Sequence, residues 1–329
     1  MISVVIPAYN EAPSIGETVL SIRAVLNNSG QSSSEIIVVD DGSTDSTAAQ
    51  ARISGAIVIR HPKNAGYGFA LKSGISAAAF DTIVITDADL TYPADAIPNL
   101  IQEYYKGFDM VVAARSGKHY HESVIKMPLR MVLKLLVEFT AGRKIPDVNS
   151  GLRVFSRKAI LPHFPHLCNT FSFTTSLTLA FMMVGRFVQY VPIEYHPRIG
   201  QTKVRLLRDS VRTLQYITQA IVYYNPMKLF LMLSLTTLGL SAIALIIGLN
   251  LHDQICLSLS ANSVLLAICL FGMGLIADLI RQTNLGKSSI NSAEAQPIDF
   301  SVPETQVDRL PAAQAALLVH QSQESNAQV

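Results

Sequence analysis

The sequence of 329 residues contains no tryptophan, only three cysteines and few charged residues, which make up 15% of the chain. A soluble domain usually carries about 25% charged residues, so the deficit excludes a chain that faces water throughout. The cysteines lie far apart among apolar residues, which excludes a disulfide framework and a cysteine zinc site. The 26 basic residues are nearly balanced by 24 acidic ones, so no nucleic-acid partner held by global charge is expected.

Two long uncharged segments lie in the C-terminal part of the chain. Residues 229–249 and 255–277 can each cross about 30 Å of hydrocarbon as a helix. The short connection, residues 250–254, predicts an antiparallel transmembrane hairpin. Basic residues flank both outer ends and are missing from the connection, which predicts a cytoplasmic N-terminal domain and tail. A hairpin buried inside a soluble protein is the alternative.

The chain divides into four predicted parts. A segment with basic residues in its first half and apolar faces directly precedes the spans, as is typical of a helix lying along lipid headgroups. An ordinary surface helix is the alternative for this segment. The parts are an N-terminal domain at 1–202, amphipathic interfacial helices at 203–226, two transmembrane helices at 227–281 and a polar, disordered tail at 282–329. Small residues on the spans suit packing within or between subunits, which leaves a homo-oligomer open.

Short β-branched runs alternate with helical stretches in the N-terminal domain. The runs lie at residues 3–7, 35–40, 56–60, 82–87 and 110–114. Apolar strands that alternate with helices predict an α/β domain with a mostly parallel sheet covered on both faces. Ligands of such sheets bind at the carboxyl ends of the strands. Polar residues follow the first, second and fourth runs, so we expect the site there.

Asp87 and Asp89 stand one residue apart at the end of the fourth run. Two such carboxylates can hold Mg²⁺ or Mn²⁺, whose remaining ligands are commonly diphosphate oxygens and water. The cation would offset the charge of a departing diphosphate. A pair of turn or helix-cap aspartates is the alternative. The chain has no Walker phosphate loop, and the glycines of residues 64–70 indicate a close backbone approach at a helix start.

Five motifs follow one another in a characteristic order. They are Ile6-Pro-Ala-Tyr-Asn-Glu11, Val38-Val-Asp-Asp-Gly-Ser-Thr-Asp45, Asn64-Ala-Gly-Tyr-Gly68, Thr86-Asp-Ala-Asp-Leu-Thr-Tyr-Pro93 and Arg198-Ile-Gly-Gln-Thr-Lys203. In this order they resemble family 2 glycosyltransferases of the GT-A fold. With the C-terminal hairpin, the chain is similar to the polyprenyl-phosphate glycosyltransferases, which include dolichyl-phosphate mannose synthases and bactoprenol glucosyltransferases.

The resemblance implies a role for each matching residue. The nucleotide sugar is expected against Pro7, Tyr9, Glu11, Asp41 and Asp87, and the metal on Asp87 and Asp89. The acceptor and its phosphate are expected at Arg115, Arg130, Arg198 and Lys203, and the catalytic candidates are Asp89, Asp147 and Arg130. The alternatives are a surface basic residue at Arg130, a turn aspartate at Asp147 and lipid-headgroup attraction at Lys203. Thr91 stands where the mannose synthases carry a metal-binding glutamine, and it is not counted as a ligand.

The segment 171–177 departs from the family, because many relatives carry a glutamate there and this chain reads Phe-Ser-Phe-Thr-Thr-Ser-Leu. No protein base is therefore expected from this segment. A phosphate monoester has a second pKa of about 6 and is largely dianionic at neutral pH, so the acceptor is expected to be its own nucleophile.

The resemblance implies an inverting, metal-dependent glycosyltransferase anchored in a membrane of the bacterial inner-membrane type. It is expected to move a hexose, first of all glucose from UDP-glucose, to an undecaprenyl or dolichyl-type phosphate at the cytoplasmic leaflet. A GDP-mannose-dependent mannose synthase is the alternative enzyme, and a two-span scaffold with a vestigial nucleotide site is the alternative without activity. A processive polysaccharide synthase is disfavoured. Such an enzyme normally has more spans and a Gln-x-x-Arg-Trp motif, and this chain has no tryptophan.

Overall fold

The computed structural model of the chain describes residues 1–117, 134–135, 137–197, 214–215, 218–219 and 221–291. Within these residues, an N-terminal α/β domain precedes two long helices. Most of the predicted amphipathic segment and all residues from 292 onward lie outside the described residues. The candidates Arg130, Arg198 and Lys203 also lie outside them.

A seven-stranded sheet forms the centre of the described α/β domain. Its strands are β1 (Ile2–Ala8), β2 (Glu35–Asp40), β3 (Ile57–Arg60), β4 (Thr82–Ile85), β5 (Met110–Ser116), β6 (Arg153–Ser156) and β7 (Val188–Glu194). The strand order is β3-β2-β1-β4-β6-β5-β7, and β6 alone runs antiparallel to its neighbours. The predicted mostly parallel sheet is confirmed. The predicted runs correspond to β1–β5, whereas β6 and β7 escape prediction because β6 is short and begins with an arginine and β7 contains Pro192.

Helices cover both faces of the sheet. On one face lie α1 (Ala12–Asn28), α2 (Thr47–Ile53) and α4 (Ala96–Tyr104). On the other lie α3 (Tyr67–Ala77), the short α5 (Arg157–Ile160), a 3₁₀-helix (Leu161–His166) and α6 (Phe173–Met183). In β1, Val4 and Ile6 face the first core and Val5 faces the second. Because both faces are covered, the strands read as continuous apolar runs.

Two long helices, α7 (Pro226–Leu251) and α8 (Gln254–Asn291), form the C-terminal hairpin. Residues 226–251 and 254–283 are apolar and long enough to cross a membrane, and they are largely exposed. Only His252 and Asp253 connect the helices, and His252 ends α7 in the left-handed conformation with φ 54°. The predicted hairpin is thus present with a tighter connection than residues 250–254. Helix α8 also continues past the predicted end of the span at residue 281.

Small residues bring the two long helices together. Gly274 lies so close to Phe230 that an added Cβ would come within 2.7 Å of the Phe230 Cβ atom. The hydroxyl of Ser241 donates a hydrogen bond of 2.9 Å to the main-chain oxygen of Ser260. In lipid, such close packing and interhelical hydrogen bonds hold helices together, because the surrounding hydrocarbon provides no hydrophobic drive.

Lys228 joins the first long helix to the α/β domain. Its backbone N–H donates to Oδ1 of Asn225 at 3.1 Å and so caps α7. Its ammonium group donates to the main-chain oxygens of Phe139 and Thr140 and lies 4.5 Å from the centroid of the Phe139 ring. Residues 137–141 are helical, so the cation lies at the negative end of a helical segment.

A small apolar core adds a second contact between α7 and the α/β domain. Leu229 of α7 packs against a buried cluster formed by Val137, Ile145, Leu179, Met182 and Ile221. Ile221 belongs to the last part of the predicted amphipathic segment, of which residues 221–224 are helical. The first long helix is therefore packed on the α/β domain.

Candidate functional site

Three loops meet at one edge of the sheet, because β2, β1 and β4 are parallel neighbours that end there. The ends of these strands and the loops that follow them carry the predicted residues Pro7, Tyr9, Glu11, Asp41, Asp87 and Asp89. Pro7 is buried inside β1 opposite Val39, whereas Tyr9 and Glu11 are partly exposed.

Hydrogen bonds connect the first two loops. The N–H of Asn10 donates to Oγ of Ser43, and the N–H of Thr44 donates back to Oδ1 of Asn10, both at 2.9 Å. The N–H of Glu11 donates to Oγ1 of Thr47, also at 2.9 Å. Asn10 adopts the left-handed conformation with φ 52°, which asparagine tolerates better than most residues. The segment after β1 is thereby fixed against the segment after β2.

Asp41 anchors the segment that follows β3. Its buried carboxylate accepts hydrogen bonds from the N–H groups of Ala65 at 2.9 Å and Gly66 at 2.8 Å. Nδ1 of His61 lies 2.7 Å from Oδ1 of the same carboxylate. His61 is absent from the predicted site, although its place directly after β3 is a signal that could have found it. Asp41 therefore holds the glycine-containing loop beside the carboxyl ends of β1 and β2.

The glycines on either side of Tyr67 permit close packing at the start of α3. Gly66 has φ 110°, and a Cβ there would come within 2.6 Å of the main-chain oxygen of Asn169. A Cβ on Gly68 would overlap the main-chain oxygen of Cys168. The expected close backbone approach at a helix start is therefore confirmed, and the approached backbone belongs to this same chain.

Asp87 lies between Tyr67 and Gly151. The Tyr67 hydroxyl donates to Oδ1 of Asp87 at 2.9 Å. Gly151 lies so close that an added Cβ would come within 2.7 Å of Oδ2 of Asp87. Burial, and then the neighbouring Asp87 carboxylate, raise the pKa of Tyr67 well above its ordinary value, so the phenol stays protonated and donates.

Asp89 is buried and held by Thr91. Oδ1 of Asp89 accepts the Thr91 hydroxyl at 2.6 Å and the Thr91 N–H at 3.2 Å. Leu90 between them has φ 61°, a left-handed conformation that costs a leucine about 1–2 kcal/mol. The two hydrogen bonds support this turn. Thr91 thus contacts the candidate metal ligand directly.

Arg115 and Asp147, both predicted, lie together at the end of β5. Nε of Arg115 lies 2.7 Å from Oδ2 of Asp147, and Nη2 lies 2.9 Å from Oδ1. Burial alone would raise the pKa of Asp147, but the hydrogen bonds and charge of Arg115 hold it below its ordinary value. The carboxylate is therefore ionised and orients the guanidinium, and Arg115 is the phosphate candidate that lies within the described residues.

Two residues outside the predicted set hold the segment that follows Asp147. Arg153 is fully buried and donates to the main-chain oxygens of Val148 at 2.7 Å and Ser150 at 2.8 Å. The Tyr92 hydroxyl accepts the N–H of Gly151 at 2.6 Å. These bonds fix the backbone that approaches Asp87.

Helix α6 begins within segment 171–177, where the family resemblance implied a glutamate. Its buried polar side chains are Thr174, Thr175, Ser176 and Thr178, and it has no acidic residue. The Thr175 hydroxyl donates to Oδ1 of Asn149 at 2.6 Å and so links α6 to the segment beside Asp87.

The paired aspartates at this edge suit a divalent cation. Asp87 and Asp89 offer hard carboxylate oxygens, and the missing side chain at Gly151 leaves room for the Asp87 carboxylate, which a Cβ would displace. Among the described residues, no group of three or more His, Cys, Asp and Glu side chains could hold a metal. A cation on the two aspartates would therefore complete its shell with substrate oxygens and water.

A mostly parallel sheet with paired aspartates at its carboxyl edge is the arrangement expected of a glycosyltransferase domain of the GT-A type. Residues 3–164 match the model of glycosyl transferase family 2, so this domain is a family 2 glycosyltransferase domain and the protein is an enzyme.

The sequence similarity to individual relatives extends beyond this domain. The undecaprenyl-phosphate 4-deoxy-4-formamido-L-arabinose transferase of Salmonella paratyphi A is 28% identical over 264 residues, covering 77% of this chain and 78% of the relative. The corresponding transferase of Salmonella dublin gives the same identity and the same coverage. The similarity to these lipid-phosphate transferases and the two apolar helices indicate a membrane protein.

Solved structures share the fold. Glucosyl-3-phosphoglycerate synthase from Mycobacterium tuberculosis in complex with phosphoglyceric acid superposes with a TM-score of 0.55 at 24% identity, covering 67% of this chain and 79% of that one. Its complex with Mn²⁺, UDP-glucose and glycerol 3-phosphate gives a TM-score of 0.54 at 23% identity with the same coverage.

Proposed function

We propose that this enzyme transfers a sugar from a nucleoside diphosphate donor to the phosphate of a membrane polyprenol. The observation that carries the proposal is the attachment of a membrane-length helix to the domain that holds Asp87 and Asp89. Lys228 and Leu229 of α7 contact that domain directly. The similarity to undecaprenyl-phosphate transferases supports a lipid acceptor.

The donor is proposed to bind along the loops after β1, β2 and β4. Tyr9 and Glu11 lie on the nucleotide side, and Asp41 holds the neighbouring loop through Ala65 and Gly66. Asp87 and Asp89 would hold Mg²⁺ or Mn²⁺, which would neutralise charge on the departing diphosphate.

Arg115 is proposed to bind the acceptor phosphate, since Asp147 orients its guanidinium and a planar guanidinium can bind two phosphate oxygens. One oxygen of the acceptor phosphate attacks the anomeric carbon from the face opposite the diphosphate. A carbon–oxygen bond forms there, the bond to the nucleoside diphosphate breaks, and the configuration inverts. The dianionic acceptor needs no base to remove a proton, which is consistent with the absence of an acidic side chain from α6. Arg130, Arg198 and Lys203 remain predicted acceptor contacts.

The donor is proposed to be a uridine diphosphate sugar. Glucose remains the first sugar to test, but the Salmonella relatives are named for a formamido-arabinose, so a modified pentose belongs in the same experiment. GDP-mannose is the alternative donor. The catalytic domain is proposed to face the cytoplasm, because basic residues flank the outer ends of the hairpin. A homo-oligomer stays a prediction.

The test is transfer of radiolabel into the organic phase by the purified full-length protein in detergent. Undecaprenyl phosphate is supplied with labelled UDP-glucose, UDP-4-deoxy-4-formamido-L-arabinose or GDP-mannose, with Mn²⁺ or Mg²⁺ and then with chelator. Chelator-sensitive labelling from one donor, lost in Asp89→Ala, is expected. Absence of labelling from every donor by folded protein would contradict the lipid acceptor. A cellular role that survives Asp89→Ala would favour the scaffold alternative.

A further inference from the structure

The start of α3 and residues 167–171 form one tightly packed unit. The N–H of Phe69 donates to the main-chain oxygen of Asn169 at 3.0 Å. The Lys72 ammonium donates to the main-chain oxygen of Leu167 and to Oδ1 of Asn169, both at 2.6 Å. With Gly66 and Gly68 pressed against the same backbone, the first turn of α3 has little freedom to move.

Tyr67 extends from this unit towards the paired aspartates. Its ring stacks on Phe171 with the centroids 5.7 Å apart and the planes 17° from parallel. Its hydroxyl reaches Oδ1 of Asp87, and Gly151 closes on the same carboxylate from the segment that Arg153 holds. The orientation of Asp87 is thus determined from two sides by rigidly supported groups.

We infer that Tyr67 is a positioning residue that orients Asp87 for a divalent cation, and this inference rests on the proposed function. Hydrogen bonds from outside the ligand set orient metal ligands, and their loss typically costs about 10- to 100-fold in metal affinity or activity. The packing of α3 on residues 167–171 is the support for that hydrogen bond.

A purely structural tyrosine would have the same stacked ring, so the hydroxyl must be tested separately from the ring. Tyr67→Phe keeps the ring on Phe171 and removes only the donor to Asp87. Tyr105→Phe is the matched control, because it removes the same group from a side chain that is 59% exposed at the end of α4.

The experiment measures Mn²⁺ binding to the full-length protein in detergent with UDP present, from the electron paramagnetic resonance signal of free Mn²⁺. In Tyr67→Phe the Kd for Mn²⁺ is expected to rise about 10-fold, while UDP binding in chelator and the midpoint of thermal unfolding match the wild type. Tyr105→Phe is expected to match the wild type throughout.

Two results would overturn the inference while leaving the proposed function intact. One is an unchanged Kd for Mn²⁺ in Tyr67→Phe. The other is an equal loss of UDP binding in chelator, which would assign Tyr67 to the nucleotide pocket. Failure of the wild-type protein to bind Mn²⁺ with UDP would contradict the proposed function and, with it, the role of Tyr67.

Discussion

Arg115 and Asp147 form a two-point ion pair, with separations of 2.7 Å and 2.9 Å between their nitrogen and oxygen atoms. Oδ2 of Asp147 also accepts the backbone N–H of Arg115 at 3.2 Å, so side chain and main chain are held together. The ring of Tyr195 lies 5.4 Å from the guanidinium carbon and restricts it further. An arginine held in this way can bind a phosphate without first losing side-chain freedom, which lowers the entropic cost of binding.

Replacing Asp147 by asparagine should weaken use of the acceptor. The asparagine side chain would keep the shape of the aspartate but lose its charge and one acceptor for Arg115. We expect kcat/KM for polyprenyl phosphate to fall about 10- to 100-fold, because a hydrogen bond between charged groups contributes about 1.5–3 kcal/mol. Initial rates at varied acceptor and varied donor concentrations measure this.

The matched control for this substitution is Asp109→Asn, because Asp109 pairs with Arg186 at 2.8 Å before the start of β5, at the opposite edge of the sheet. This control should retain wild-type kinetics. An equal rise in the KM of the donor in Asp147→Asn would argue against an acceptor-side role for the pair.

The same pair should make stability depend on pH in the acid range. Arg115 holds the pKa of Asp147 below the value of about 3.9 that applies to the unfolded chain. The folded state therefore binds fewer protons, and the contribution is fully present above the unfolded pKa and lost as pH falls through the folded pKa. Thermal unfolding in detergent from pH 7 downwards should show a wild-type advantage over Asp147→Asn that narrows below about pH 4. A constant difference across this range would contradict the ion-pair account.

The predicted part of the site is the part that lies next to the strands in sequence. Asp41, Asp87 and Asp89 follow apolar runs directly, and parallel strands carry such residues to one edge whatever the details of the loops. The two long helices α7 and α8 are also predictable, because continuous apolar runs of this length identify membrane spans from sequence.

The supporting residues could not be predicted in this way. Arg153 binds main-chain oxygens that only the folded segment after Asp147 presents, so no partner is visible in the sequence. Tyr67 reaches Asp87 across 20 positions because it begins α3 after β3, whereas Asp87 follows β4, and the strand order β3-β2-β1-β4 brings both strand ends to one edge. Such contacts depend on strand order, which the hydrophobic pattern leaves open.

Gly151→Ala should lower the rate of sugar transfer. The new Cβ would lie within 2.7 Å of Oδ2 of Asp87, so either the carboxylate or the backbone held by Arg153 must move. We expect transfer to fall about 100-fold, since displacements of about 1 Å at a reacting site have costs of this size. Gly239→Ala is the control, because its Cβ would enter open space. Transfer at the wild-type rate in Gly151→Ala would show that the close contact with Asp87 has no role in activity.

Lys228 should matter most when the acceptor is in a bilayer. Lys228→Met removes the hydrogen bonds to Phe139 and Thr140 and the cation over the Phe139 ring, whereas Lys228→Arg keeps a cation that can reach the same oxygens. Without these contacts between α7 and the α/β domain, the edge that carries Asp87 loses its fixed orientation towards the membrane. Transfer to undecaprenyl phosphate in liposomes should therefore fall in Lys228→Met and be largely restored in Lys228→Arg. Transfer to a short-chain, water-soluble polyprenyl phosphate in detergent should stay at the wild-type rate in both, because that acceptor reaches the site without the bilayer. Equal losses with both acceptors would instead indicate that Lys228 acts by stabilising the domain.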